Sequence, residues 1–239
     1  MKRYLVFSLF AFAFSTLHAQ SPRVKNDSGY DEHRFHFGFA LGINIMDFAF
    51  QRPVIGAENP VFADVTSVQP GFQVNIVTDF RIGAYLNLRM IPGINLGQRT
   101  ISFIDYSKTP IPDFVSSMTI ESNYADFPIL LKYKAMRINN FRPYIIGGVS
   151  AKYDWAARKG YDESAKTFVR LEPISYYYEF GVGVDQYLPF FKFTTELRVA
   201  IGLNDILVKK PAETPGSQIY PKSINKLSSR MVTLNFYFE

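Results

Sequence analysis

Between Phe35 and Ile45 the chain alternates without a break. Phe35, Phe37, Phe39, Leu41, Ile43 and Ile45 are large and apolar; His36, Gly38, Ala40, Gly42 and Asn44 between them are small or polar. A period of two belongs to a β-strand, whose successive side chains point to opposite faces. A sheet in water puts its apolar face on a core and decorates the other face with charge. Here the second face is mostly glycine and alanine, which suits the crowded interior of a narrow barrel whose apolar face meets lipid.

Seven further stretches repeat the pattern. The apolar phase is Phe72, Val74, Ile76, Thr78 and Phe80 in Phe72–Arg81, and Leu86, Leu88 and Met90 in Tyr85–Ile91. It is Phe127, Ile129, Leu131 and Tyr133 in Tyr124–Lys134, and Ile145, Val149, Ala151, Tyr153 and Trp155 in Phe141–Trp155. Tyr176, Tyr178, Phe180, Val182 and Val184 carry it in Ile174–Tyr187, and Phe191, Phe193, Thr195, Leu197, Val199 and Ile201 in Phe191–Leu203. Val232, Leu234, Phe236 and Phe238 close the set, which makes eight strands. Composition agrees, with 23 Phe and 15 Tyr against one Trp in 239 residues; aromatic side chains favour pleated, half-buried surfaces.

The connections separate a membrane barrel from one in water. Those after strands two, four and six are short, near Arg81–Gly83, Met136–Asn140 and Leu188–Phe190. Those after strands one, three, five and seven are long and polar: Met46–Pro70, Gly93–Thr119, Ala156–Pro173 and Asn204–Arg230. Short turns on one side and long loops on the other predict an all-β, eight-stranded antiparallel up-and-down transmembrane β-barrel, with short periplasmic turns and long extracellular loops. An even strand count puts both of its ends in the periplasm.

Export is expected from the start of the chain. Lys2 and Arg3 precede the apolar run Tyr4–Leu17, and Leu17-His18-Ala19 offers a cleavage site before Gln20. The expected division is a signal peptide at 1–19, a polar periplasmic tail at 20–34 and the barrel at 35–239, placing the protein in the outer membrane. Losing Lys2 and Arg3 lowers the formal net charge from +5 to +3, too little to argue for nucleic acid. The chain has no cysteine, so disulfides, thiol catalysis and Cys-based zinc sites are excluded.

The second phase of the strands collects charge. Asp79, Asp126, Asp154, Glu179, Asp185 and Glu196 face Arg89, Lys132, Lys134, Arg142, Lys152, Lys192 and Arg198. Six acids against seven bases in so narrow a lumen are expected to pair, because unpaired buried charge is costly. An ion-selective pore would need a wider barrel.

Signals for catalysis or metal binding are thin. His33 and His36 are the histidines left after the signal segment, and three residues apart on a strand they face opposite sides. Glycines such as Gly147, Gly148, Gly181 and Gly183 sit on strands, without a phosphate-loop or nucleophile-elbow context, and give neighbouring side chains room. No cofactor is expected. The loops carry Arg158, Lys159, Lys166 and Arg170, then Lys209, Lys210, Lys222 and Lys226, a basic complement to lipopolysaccharide or to another envelope protein.

One block carries a resemblance. Tyr124-Ala-Asp-Phe-Pro-Ile-Leu-Leu-Lys-Tyr-Lys134, followed by Arg137-Ile-Asn-Asn-Phe-Arg-Pro-Tyr-Ile-Ile-Gly-Gly148, resembles the small outer-membrane barrels of Bacteroidota. Within them it is most similar to the PorT (SprT) family of type IX secretion components. That resemblance implies a non-enzymatic barrel that works with other secretion components to export cargo bearing C-terminal sorting domains. It implies no catalytic residues. The competing expectations are a small outer-membrane hydrolase of lipid or peptide, and a structural or adhesive surface barrel.

Overall fold

The computed structural model describes residues 25–26, 29–51, 61–105, 113–158, 169–208 and 223–239. The expected signal peptide and the side chains of Arg158, Lys159, Lys166, Lys209, Lys210 and Lys222 lie outside the described residues. Ten strand segments follow one another: β1 (Phe35–Gln51), β2 (Val61–Val68), β3 (Pro70–Arg81), β4 (Leu86–Met90), β5 (Gly93–Asp105), β6 (Asp113–Lys134), β7 (Phe141–Asp154), β8 (Ile174–Tyr187), β9 (Lys192–Gly202) and β10 (Lys226–Phe238).

Prolines interrupt two of eight continuous strands. Thr78↔Met90 and Asn75↔Gly93 lie three residues apart on both sides, so β3 sees β4 and β5 as one strand in a single register. Pro92 lies between them and has no N–H for the ladder, while its carbonyl still accepts from Ile76 at 2.9 Å. Pro70 likewise follows β2 directly across Gln69. Counted as wall strands these are eight, all antiparallel to their neighbours. They close because β1 pairs with β10 on one side, Phe39↔Phe238, and with β3 on the other, Phe35↔Phe80.

The strands outrun the membrane. About 9–11 tilted residues cross a bilayer, yet β1 has 17 and β6 has 22. Their alternation changes phase on the way. In β1 the outward residues are apolar from Phe35 to Ile45; beyond that, Met46, Phe48 and Phe50 turn inward, with Asp47 and Gln51 on the outer face. In β6 Phe127, Ile129, Leu131 and Tyr133 are exposed on the lipid side, whereas Met118 and Ile120 are buried and Glu121 and Asn123 face out. Polar-in and apolar-out is the rule in lipid; apolar-in and polar-out is the rule once the wall stands in water. The inversion marks the outer edge of the bilayer.

This inversion corrects the expected long loops. Much of Met46–Pro70 and Gly93–Thr119 is strand, with 52–60 and 106–112 outside the described residues, and Lys226–Arg230 belongs to β10. Above the bilayer the barrel holds an apolar core. Phe48, Ile101, Phe103, Met118, Ile120 and Leu227 from the wall enclose Val169, Leu171, Ile206 and Leu207 from the two remaining connections. Those connections pair with each other there, through Leu171↔Leu207 and the Glu172 amide to the Ile206 carbonyl at 2.8 Å. Each such side chain is worth roughly 1.5–3 kcal/mol over its exposed state.

The opposite end carries the tight connections. Ile138 and Phe141 exchange backbone hydrogen bonds of 2.9 Å around Asn139, whose φ of 53° is a conformation that asparagine tolerates better than most residues.

Candidate functional site

The site is the lumen between the apolar cap and the periplasmic mouth. Its side chains come from the inward phase of every strand, and they join over the small residues between them. Tyr144 on β7, Gly183 on β8 and Glu196 on β9 lie side by side across the wall. The Tyr144 hydroxyl reaches Glu196 Oε2 at 2.7 Å, passing over Gly183, where an added Cβ would sit 2.4 Å from the ring. Gly42 works alike: Gln73 on β3 and Asn235 on β10 bond to each other above it.

The charges are paired at several levels of the lumen. Nearest the mouth, Arg89 donates to Asp79 at 2.6 Å and to Glu239 at 2.7 Å, and Glu239 also meets Lys192 at 2.5 Å. Asn87 supplies the other Asp79 oxygen at 2.6 Å. Lys132 spans β7 to reach Asp185 at 2.7 Å, where Thr194 also donates, and lies 3.9 Å from the Tyr144 ring centre. At mid-height Glu196 takes the hydroxyls of Tyr144 and Tyr237, the latter at 2.6 Å. Higher still, Lys152 bridges Asp126 and Glu179, Asn95 donates to Asp126 at 2.9 Å, and Arg198 stands 3.3 Å from Glu179.

Three of the expected charges have other roles. Asp154 is buried but makes no ion pair with these groups; its carboxylate accepts the amides of Asn123 and Ala156 at 3.1 and 2.9 Å and shapes the top of β7. Lys134 and Arg142 pair instead with Asp31 of the tail, at 3.5 and 2.9 Å. The sequence reading missed three members. Asp31 lies in a short turn with no periodicity, and Glu239 follows the last strand rather than alternating within it. Arg99 falls where the alternation inverts.

Arg99 differs from the other lumen cations. Among the described residues its hydrogen bonds go to neutral oxygens: the Asp47 carbonyl at 3.0 Å, Ser229 at 2.7 Å, Ser122 at 3.1 Å and Tyr124 at 2.8 Å. Its guanidinium lies 3.4 Å from the Phe48 ring centre, on the border between polar lumen and apolar cap.

The tail closes the mouth. Tyr30–Glu32 form a single 3-10 turn. Tyr30 stacks on His36 at 4.3 Å between ring centres and lies 4.6 Å from the Lys192 ammonium. Tyr187 donates to Asp31 at 2.9 Å, and Arg137 donates to the Asn26 carbonyl. Burial pushes the Asp31 carboxyl up, but Arg142, Lys134 and the Tyr187 hydroxyl outweigh it and hold the group below its ordinary 3.8. His36 points into the lumen with Nε2 2.7 Å from the Tyr30 carbonyl; His33 is exposed but, contrary to the expected opposite faces, its ring lies edge-on to that of His36 with centres 6.5 Å apart, because it precedes the strand. No group of His, Asp and Glu among the described residues is arranged to hold a metal ion.

Side chains thus cross an eight-stranded lumen at several levels, which is the filling expected for a barrel of this width. What the fold and its alternation define is a transmembrane barrel of the outer-membrane kind. The family described as outer membrane protein beta-barrel domain matches residues 18–208, and the chain belongs to it. No curated protein sequence matches the chain. Among solved structures it is similar to the outer membrane protein OprG from Pseudomonas aeruginosa, at 12% identity, covering 86% of this chain and 94% of that one with a TM-score of 0.47. The N-terminal β-barrel domain of Pseudomonas aeruginosa OprF aligns at 8% identity over 83% and 96% of the two chains, with a TM-score of 0.33.

Proposed function

We propose that the protein is a non-enzymatic outer-membrane component of type IX secretion, needed for export of cargo with C-terminal sorting domains. In this role it acts through protein partners and is not itself the conduit. The observation that carries the proposal is the block Tyr124–Gly148. It folds as the β6–β7 hairpin, supplies Asp126, Lys132, Lys134, Arg142 and Tyr144 to the lumen and places Arg137 against the tail. The residues that resemble PorT are therefore those that fill and close the barrel. A narrow, filled lumen cannot pass a folded cargo, so the contribution to transport falls to the outer surfaces, loops and mouth.

Deletion of the gene is the direct test. The expected result is cargo with sorting domains retained in the periplasm, restored by the wild-type copy. Normal secretion in the deletion strain would refute the proposal.

A further inference from the structure

At the mouth of the barrel two halves of one contact are built differently. The wall half is fixed from behind. Arg142 on β7 donates from Nε to the Ala135 carbonyl and from Nη2 to the Ala84 carbonyl, each at 2.8 Å, which leaves Nη1 for Asp31 at 2.9 Å. Lys134 on β6 and the Tyr187 hydroxyl on β8 complete a cradle around the same carboxylate, and the hydroxyl lies within 3.0 Å of both its oxygens. Beside the cradle is a slot for a ring. Tyr30 fills it, stacked on His36, edge-on to Tyr187 at 5.9 Å and 4.6 Å from the Lys192 ammonium. His36 Nε2 bonds the backbone carbonyl of the same residue.

The tail half is light. None of Tyr30, Asp31 and Glu32 is buried, whereas Lys134, Arg142, Tyr187 and His36 all are. Glu32, His33 and Arg34 lead on to β1 exposed to solvent. Charge shows what the wall half is built to receive. Without the tail, Arg89, Lys132, Lys134, Arg142 and Lys192 stand against Asp79, Asp185 and Glu239 at this end of the lumen, five cations to three carboxylates. Arg89, Lys132 and Lys192 pair with those three. Among the described residues, the carboxylate that Lys134 and Arg142 pair with is that of Asp31. Buried cations left without a partner are costly, so a vacated cradle selects a carboxylate.

We propose that the mouth is a receptor for a periplasmic segment of a partner protein in which an aromatic residue is followed directly by an acidic one, and that the chain's own Tyr30-Asp31 holds the site until such a segment replaces it. The tether explains how so small a contact stays docked, since a tail joined to β1 acts at a roughly millimolar effective concentration. A phosphate headgroup would meet the same cations but has no ring for the slot beside them. Ring and carboxylate read together select a peptide. This inference rests on the reading of the chain as a barrel that works through partners.

The test uses the purified full chain in detergent micelles and a fluorescein-labelled peptide, Ser-Gly-Tyr-Asp-Gly-Ser. Tyr30→Ala with Asp31→Ala frees both halves of the site in an otherwise complete chain. Saturable binding to that variant is expected, with half-saturation below about 1 mM, and about tenfold weaker binding to the wild type, whose tail competes. Changing the peptide's Asp to Asn is expected to weaken binding to the variant about tenfold or more, because charged hydrogen bonds are lost. On the wild type, unlabelled peptide in millimolar excess is expected to speed trypsin cleavage after Arg34, the sign that the tail has been displaced. Absent binding to the variant, equal binding to the wild type, indifference to the Asn change, or unchanged cleavage would overturn the proposal. So would displacement by inorganic phosphate with equal binding of a peptide lacking its Tyr, which would assign the cations to a phosphate. Wild-type dimers that the double substitution abolishes would also overturn it, by assigning the site to a second copy. No arm reads cargo secretion, so the failure of this inference and that of the function remain separable.

Discussion

Arg89 holds two carboxylates at once, Asp79 and Glu239, with its side chain and both partners out of contact with solvent. Replacing a buried pair entirely can be neutral, but removing one partner leaves charge uncompensated, at about 3–5 kcal/mol. Arg89→Met is therefore expected to lower the unfolding free energy of the vesicle-inserted barrel, read from urea titration, by that amount. A change under about 1 kcal/mol would mean that the two carboxylates find other partners. Much of this network is legible residue by residue, because a strict period of two assigns Asp79, Arg89, Asp126, Lys132, Glu179 and Arg198 to one face. Pairing across non-adjacent strands is not legible, since alternation gives a face and says nothing of height in the barrel. Lys132 meets Asp185 two strands away for that reason. Arg99 escaped because its neighbours Gln98 and Thr100 are polar and Ile101 and Phe103 apolar, the reverse of the pattern that marks the membrane strands.

At the scale of elements, the tail was the least readable part. A single 3-10 turn has no periodicity to find, and its fit depends on Arg142, Lys134, Tyr187 and His36, brought together from four strands. Asp31→Ala removes the anchor shared by Arg142, Lys134 and Tyr187. Trypsin cleavage after Arg34 is expected to become several-fold faster while the barrel stays intact; an unchanged rate would show that Tyr30 and Asn26 hold the tail unaided. The pH dependence follows from the depressed pKa of Asp31. Its contribution is complete above the ordinary 3.8 and is lost as pH falls through the lower, docked value. NMR signals of Tyr30 should therefore remain those of the docked ring from neutral pH down to ~4 and change only below it. Release already near pH 6 would assign the switch to a different group.

At the scale of the molecule, strand number, alternation and the placement of short turns were present in the sequence, and the ring of eight agrees with them. Of the four expected long loops, Met46–Pro70 and Gly93–Thr119 are largely strand, because strands that leave the membrane exchange inside for outside in polarity and then look like loops. That inversion also produces the barrel's layered interior: tail and ion pairs at the mouth, a polar middle, an apolar cap above. On the proposed function, a closed interior of this kind leaves contact with partners to the outer surfaces, loops and mouth.

Single-channel recording of the purified full chain in planar lipid bilayers tests that closure most directly. A lumen crossed by ion pairs and capped by Phe48, Phe103 and Leu207 predicts no steady conductance, and none after removal of residues 25–34, because the network and the cap remain. A stable ohmic channel in the full chain would contradict it.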